Sequence, residues 1–203
     1  MQLTRDRIIE AAVQLIEREG VDAVSMRRVA IELGSGVMSL YNHVPSKAAL
    51  LDGVVERVAA GIEIPAPTAS WEDDVRAQAR AFRAIAHAYP RCTMLVVSRP
   101  ASTAATRTIG HAMATLQAAG FGEDDAARTV RAFVAYIVGS LLREVGVSPS
   151  VVPAADPQAP ARTSRAEHDA DFEFGLETLL RGAADRLREV AGRRRASGPV
   201  ATR

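Results

Sequence analysis

The feature that most constrains this chain is the helical spacing of its apolar residues, which persists along nearly the whole length. Near the start the pattern i, i+3, i+4, i+7, i+8 is filled by Ile8, Ala11, Ala12, Leu15 and Ile16. This spacing places side chains on one face of an α-helix. The alternation of apolar and polar residues that marks a half-buried strand is weak everywhere. The sequence therefore predicts an all-α protein.

Capping residues divide the first part of the chain into short helices. Thr4 and Ser25 are placed to cap the first and second helices, and Gly20 and Gly34 are placed to end them. A third helix of at most two turns follows. Pro45 breaks this helix, and Ser46 is placed to cap the start of the fourth helix.

The proline-containing segment EIPAPTAS indicates a linker after the fourth helix. We therefore expect an N-terminal helix-turn-helix domain over 1–62, including the connecting fourth helix, and a larger helical domain over 63–203. The second domain contains further amphipathic helices, the last over about 171–192, although its segment MLVVS is too short to assign. A stretch rich in proline and alanine near 146–166 predicts a flexible loop.

Composition limits the classes of function. The 203 residues are 48% hydrophobic and 24% charged, which is typical of a folded globular protein. The formal net charge of +1 means that nucleic-acid binding must rest on local placement of charge. A single cysteine, Cys92, excludes an intrachain disulfide and a cysteine zinc cluster. No apolar run approaches the ~20 residues of a membrane-spanning helix, so we expect a cytoplasmic protein without a membrane partner.

The stretch GSGVMSLYNHVPSK, residues 34–47, holds many side chains suited to contacts. From Leu33 to Leu51 there are 19 residues without Asp or Glu. Two short helices joined at Gly34 match the helix-turn-helix arrangement, whose second helix enters the DNA major groove. The residues expected at DNA are Arg27, Arg28, Gly36, Val37, Met38, Ser39, Tyr41, Asn42, His43 and Lys47.

Several of these residues supply something that a duplex requires. Gly36 permits close approach, while Val37 and Met38 offer apolar contact to thymine methyl groups. Tyr41 can reach phosphates or base edges. Lys47 lies in the first turn of the next helix, where the helix dipole also favours a phosphate. Half-buried packing is the alternative interpretation of aromatic side chains in so short a helix.

Three motifs carry a resemblance to a known family: VA-x-x-LG at 29–34, SLYNHV at 39–44 and K-x-x-L at 47–50. With the run from 3 to about 58, they resemble the DNA-binding domain of the tetracycline-repressor (TetR) family. The resemblance implies roles for six residues: DNA proximity for Ser39, Asn42 and His43, phosphate contacts for Tyr41 and Lys47, and a core position for Leu40.

The ending DFEFGLETLLRG and the long apolar helices before it are similar to the C-terminal domain of the same repressors. The resemblance implies a homodimer whose interface is a four-helix bundle, bound to double-stranded palindromic operator DNA. It also implies a repressor that a small-molecule effector releases from the operator. The residues expected at the dimer interface are Val134, Ile137, Leu141, Leu176, Leu179, Leu180 and Leu187.

Polar or polarizable side chains on otherwise apolar helices are candidates for an effector pocket. They are Gln78, Phe82, His87, His111, Met113, Phe133 and Tyr136, and core packing or exposure is the competing interpretation of each. The stretch AQARAFRAIA resembles the one where tetracycline repressors hold their drug. Leu95, however, aligns with their magnesium-binding histidine. We therefore expect a largely apolar effector of unknown identity, with no cofactor and no metal.

No constellation of catalytic residues is evident. The sequence lacks G-x-S-x-G, a P-loop and H-E-x-x-H, so we do not expect an enzyme. His168 stands among acidic residues and indicates a solvated helix start, and Cys92 indicates an inert buried thiol. A helical protein-binding module with a degenerate DNA-binding domain remains an alternative. Salt-dependent affinity for duplex DNA would separate it from a repressor.

Overall fold

The protein is described by a computed structural model over residues 2–99, 103–144 and 164–196. Within these residues the chain forms α-helices, one 3-10 turn at Val21–Ala23 and no strand, so the all-α prediction is confirmed. The helices are α1 (Arg5–Glu19), α2 (Met26–Glu32), α3 (Val37–Tyr41), α4 (Lys47–Ala59), α5 (Trp71–Ala88), α6 (Pro90–Ser98), α7 (Thr103–Ala118), α8 (Glu123–Glu144) and α9 (Arg165–Ala196).

The caps predicted from the sequence set the helix boundaries near the N-terminus. Thr4, Ser25 and Ser46 each place a side-chain oxygen 3.1–3.3 Å from the backbone N–H three residues later, at the starts of α1, α2 and α4. Gly34 has a φ of 59°, a left-handed conformation that favours glycine. The chain can therefore turn tightly from α2 into α3.

The chain divides into two compact units. One contains Met1–Ile64 and Arg80–Gly110, and the other contains Pro65–Ala79 and His111–Arg203. This division differs from a single boundary at residue 62, because α6 packs against α1 and α4. Three side chains of α6 lie in the same apolar core as the first four helices: Cys92, Leu95 and Val96.

The start of α6 is fixed by a residue of α1. Tyr89, the N-cap residue of α6, makes no side-chain capping bond. Instead, the carboxylate of Glu17 accepts hydrogen bonds from the backbone N–H of Cys92 at 2.7 Å and of Arg91 at 3.3 Å. The segment MLVVS therefore belongs to a helix whose start is capped by a residue distant in the sequence, so the segment's own residues do not reveal it.

In the second unit, α8 and α9 pack in opposite directions. Asp125 near the start of α8 pairs with Arg186 in the second half of α9 at 3.2 Å. Tyr136, further along α8, donates its hydroxyl to the backbone oxygen of Phe172 at 2.8 Å, and the two rings stack with centroids 5.9 Å apart. Gly175 lies against Tyr136, because a Cβ there would overlap the tyrosine ring and hydroxyl.

The last helix begins earlier than the predicted residue 171. Ser164 donates its backbone N–H to the Glu167 carboxylate at 2.6 Å, and Glu167 donates its backbone N–H to the Ser164 hydroxyl at 3.2 Å. This reciprocal pair is a capping box, which starts α9 at Arg165. The rest of the predicted loop, 146–163, lies outside the described residues. None of the described helices combines the length and the apolar content of a membrane-spanning segment.

Candidate nucleic-acid interface

The short helix α3 buries one side and exposes the other. Leu40 and Val44 are fully buried in the core of the first unit, where they anchor the helix. Met38 is 76% exposed and Tyr41 is 42% exposed, although both are large and apolar enough to pack inside. The remaining exposed side chains predicted at DNA on or beside α3 are Ser39, Asn42, His43 and Lys47. These predicted contact residues are therefore exposed to solvent on α3 or within a few residues of its end.

The glycine at the start of α3 is not required by the packing of the chain. Gly36 is exposed and has a φ of −75°, which any residue can adopt. A Cβ added there would meet only the Ser39 hydroxyl oxygen, at 3.9 Å. A glycine at this position would permit the close approach of a partner surface to the helix start. Val37, the next residue, is half-buried, so it has less side chain free for a partner.

Acidic residues that border the acid-free window are paired with arginines. Glu32, on the side of α2, accepts a bond from Arg18 at 2.6 Å. Asp52, on α4, forms an ion pair with Arg99. Since an unpaired carboxylate near a duplex would repel the phosphates, these pairs reduce the negative charge at both edges of the window.

The two arginines predicted at DNA differ in their surroundings. Arg27 is exposed, whereas the Arg28 guanidinium bonds to the Glu19 carboxylate at 2.7 Å. A hydrogen bond from Arg18 and the charge of Arg28 hold the pKa of Glu19 below its usual value. Arg28 would have to exchange this ion pair for a phosphate. The pairing joins α1 to α2, so helical spacing within one segment does not reveal it.

One exposed apolar side chain in this region was not among the predicted contacts. Ile31 of α2 is 65% exposed, while Val29 and Ala30 beside it are buried. The sequence contains a signal for this exposure, because Ile31 does not share the helical spacing of the apolar residues on the buried side of α2. A large exposed apolar residue next to the helix-turn-helix turn is a candidate for contact with a partner.

The candidate effector residues are divided between the two units. Phe82 and His87 belong to the first unit, and the other five belong to the second: Gln78, His111, Met113, Phe133 and Tyr136. Phe82 packs against Ala59 and Ile62, and His87 is exposed. Phe133 is buried and Met113 is half-buried. The hydroxyl of Tyr136 is bonded to α9, as described above, so this side chain joins two helices of the unit.

A short polar chain links two of the candidates in the second unit. The side-chain amide of Gln78 donates to the Thr115 hydroxyl at 3.1 Å. That hydroxyl donates in turn to the backbone oxygen of His111 at 3.1 Å. Leu95, at the position considered for a metal-binding histidine, is buried in the core of the first unit. Among the residues that the structure describes, no group of three or more His, Cys, Asp or Glu could hold a metal ion.

Most of the residues expected at a dimer interface pack inside the chain. Four are buried in one subunit alone: Ile137, Leu141, Leu176 and Leu180. Leu179 and Leu187 are partly buried, and Val134 is 43% exposed. The apolar stripe correctly indicates burial, but helical spacing cannot say whether the covering surface comes from the same chain or from a second copy.

The fold and this surface define a helix-turn-helix DNA-binding protein with a second helical unit. Residues 8–54 match the model described as "Bacterial regulatory proteins, tetR family". Residues 64–150 match the one described as "Tetracyclin repressor-like, C-terminal domain". The chain belongs to the TetR family, so the resemblance found in the sequence is confirmed. Its members are ligand-responsive transcriptional regulators that bind DNA.

Individual relatives agree with this assignment. An HTH-type transcriptional regulator of Saccharopolyspora erythraea is 34% identical over 84% of this chain and 72% of its own length. The HTH-type transcriptional repressor DrrR1 of Streptomyces coeruleorubidus is 45% identical over 48% of this chain, which spans 37% of that relative. The structure of Streptomyces coelicolor ActR in complex with actinorhodin is 26% identical, with a TM-score of 0.74 over 92% of this chain and 99% of ActR.

Proposed function

We propose that this chain is a transcriptional repressor that binds a palindromic operator as a homodimer and leaves it when a small-molecule effector binds. The observation that carries the proposal is the exposed side of α3, which presents Met38 and Tyr41 while Leu40 and Val44 anchor the helix. The chain acts by binding and not by catalysis. A repressor works at the chromosome, which places it in the cytoplasm.

The exposed side chains divide by the part of the duplex that each can reach. Tyr41 and Lys47 bind phosphates and fix the register of α3. Ser39, Asn42 and His43 face base edges, where hydroxyl, amide and imidazole groups can read the donor and acceptor pattern. In a homodimer two such helices contact half-sites about one helical turn, ~34 Å, apart, so the operator is palindromic.

The effector acts by favouring the conformation that fits the operator less well. The shift in DNA affinity cannot exceed the difference in effector affinity between the two conformations. A largely apolar effector suits the candidate residues, because aromatic and aliphatic side chains predominate around Gln78 and His111 in their own helices. ActR binds actinorhodin in its solved complex, so actinorhodin is the first compound to test.

Selection of the full-length protein on random duplex DNA at ~150 mM salt tests the DNA-binding function. We expect an enriched palindrome, with weaker enrichment by Tyr41→Ala and by Lys47→Ala. Arg131→Ala, which removes an exposed arginine from α8, is the matched control and leaves the enrichment unchanged. Enrichment of no sequence, or equal enrichment by all three variants and the wild type, overturns the proposed mode of binding.

A thermal-shift measurement tests the effector. Actinorhodin and a tetracycline, each with and without Mg²⁺, are added to the protein. We expect at least one compound to raise the Tm without metal, because a ligand that binds only the folded state stabilises it. A rise seen only with a tetracycline and Mg²⁺ together overturns the largely apolar, metal-independent effector.

A further inference from the structure

We propose that Phe174 of one subunit inserts into the groove between α8 and α9 of a second copy. The inference rests on the homodimer proposed above and names its central contact. Phe174 is 77% exposed in the single chain. Contact of so much aromatic surface with water is unfavourable in free energy. It lies on α9, two residues from the fully buried Phe172 and Leu176 on either side. The protomer therefore leaves Phe174 uncovered while it buries its neighbours.

A receiving site lies on the same surface. α8 and α9 enclose an open groove of about 380 Å³. Its walls include three small residues, Ala132, Gly182 and Ala183, which leave room for an aromatic ring. The apolar walls are completed by Phe133 and Leu179. An aromatic side chain in such a pocket is a common anchor of protein–protein interfaces.

Gly182 adds no side chain to the wall of this groove. Glycine destabilises the interior of a helix, but it leaves space that a larger residue would fill. Gly175, about two turns before it, has no such space, because a Cβ there would overlap Tyr136. A Cβ at Gly182 would have nothing within 4 Å. The space above Gly182 is thus open in the protomer and is available to a partner.

The positions of Phe174 and Gly182 suit a two-fold dimer. They lie eight residues apart on α9, which corresponds to ~12 Å along the helix. A two-fold axis that passes near Thr178, midway between them, exchanges the two positions. Each Phe174 then meets the groove of the other subunit, and both contacts form at once. Such an isologous interface closes on itself and does not propagate into a filament.

Three acidic side chains along this side of the helix pair are paired within the chain. Asp171 is paired with Arg143 of α8 at 3.4 Å, and Asp185 is paired with Arg188. At the far end of the groove, Arg186 is paired with Asp125. Because these three carboxylates each have an arginine within the same chain, they bring no unpaired negative charge to the contact.

Sedimentation analysis of the full-length chain without DNA tests the contact. We compare the wild type with Phe174→Ala, which removes the inserted ring, and Gly182→Phe, which fills the groove. Each variant alone should raise the Kd of the dimer by about 100-fold or more, since the contact occurs twice. Ile109→Ala, which trims an exposed apolar residue of α7 outside the helix pair, is the control and leaves the Kd unchanged. Circular dichroism checks that each variant is folded.

Mixing the two variants gives the sharper result. A heterodimer of Phe174→Ala with Gly182→Phe keeps one intact insertion, and its other site pairs a filled groove with a missing ring. We expect the mixture to form dimers at concentrations where each variant alone is monomeric. A wild-type dimer that neither variant weakens overturns the inference but leaves the homodimer standing, and so does a mixture that associates no better than its components. A wild type that stays monomeric at all concentrations overturns both the inference and the proposed homodimer.

Discussion

The carboxylate of Glu17 in α1 accepts a hydrogen bond from the backbone N–H of Cys92 in α6, with 2.7 Å between oxygen and nitrogen. With the second bond from Arg91, it caps a helix that has no side-chain cap of its own. The positive end of the α6 dipole also favours a carboxylate at this place. The contact joins α6 to α1 within the first unit, which also contains α3.

Removal of this cap should destabilise the first unit. We expect Glu17→Ala to lower the free energy of unfolding by about 1–2 kcal/mol, and Glu17→Gln to lower it by less, because the amide retains one acceptor. Urea unfolding followed by circular dichroism measures the change. Glu10→Ala breaks a half-exposed pair with Arg57 at 3.5 Å and a hydrogen bond from Gln14 at 3.4 Å, and should cost less than about 0.5 kcal/mol. Equal losses at the two positions would show that the cap does not stabilise α6.

The thiol of Cys92 should be unreactive in the folded protein. Burial raises its pKa, and the hydrogen-bonded Glu17 carboxylate adds to the effect by disfavouring a second negative charge. At a pH of about 8.5, equal to the ordinary thiol pKa, we expect a colourimetric thiol reagent to react only as fast as the protein unfolds. In concentrated urea the same thiol should react at once. Rapid reaction of the native protein would contradict the burial of Cys92.

A methyl group at Gly175 should disturb the packing of α8 on α9. We expect Gly175→Ala to lower the free energy of unfolding by about 1–3 kcal/mol, because the new Cβ overlaps Tyr136. Gly110→Ala on α7 is the matched control. A Cβ there has nothing within 4 Å, so the change should be neutral or stabilise the helix by up to ~1 kcal/mol. If both variants unfold at the same urea concentration, the close contact with Tyr136 is absent in solution.

The salt dependence of operator binding should distinguish a charged phosphate contact from a neutral one. For Lys47→Ala we expect the slope of log affinity against log salt to become shallower by about 1 for each subunit, because one fewer counterion is released. Tyr41→Ala should weaken binding but leave the slope unchanged, since its hydroxyl carries no charge. Fluorescence anisotropy over a salt series gives both quantities. An unchanged slope for Lys47→Ala would remove this lysine from the phosphate contacts.

The sequence predicted those parts of the fold that depend on local signals. Side-chain caps at Thr4, Ser25 and Ser46 and the left-handed Gly34 act within a few residues, so their positions could be predicted. The apolar stripe of α9 begins after the capping box, so this stripe alone predicts too late a start for the helix. Ser164 precedes the first buried residue of that helix, Phe172, by two turns.

Features that depend on tertiary contacts cannot be predicted from local sequence signals. The helix α6 needs Glu17, which lies more than 70 residues earlier in the sequence. Arg28 is expected at DNA from its position on α2, whereas its ion pair with Glu19 appears only in the structure. Leu176 and Leu180, expected at the dimer interface, are buried within the single chain. An apolar stripe predicts that residues are covered, but not whether the same chain or a partner covers them. Phe174, which the stripe does not include, is the residue left exposed.

The most direct test of the central claim, sequence-specific DNA binding through α3, is a comparison of two duplexes of equal length. One carries the palindrome enriched by selection, and the other carries the same bases in scrambled order. At ~150 mM salt we expect the wild-type protein to bind the palindrome at least ~1,000-fold more tightly. Equal affinity for the two duplexes would contradict the account, because the exposed side chains of α3 would then contribute no sequence recognition.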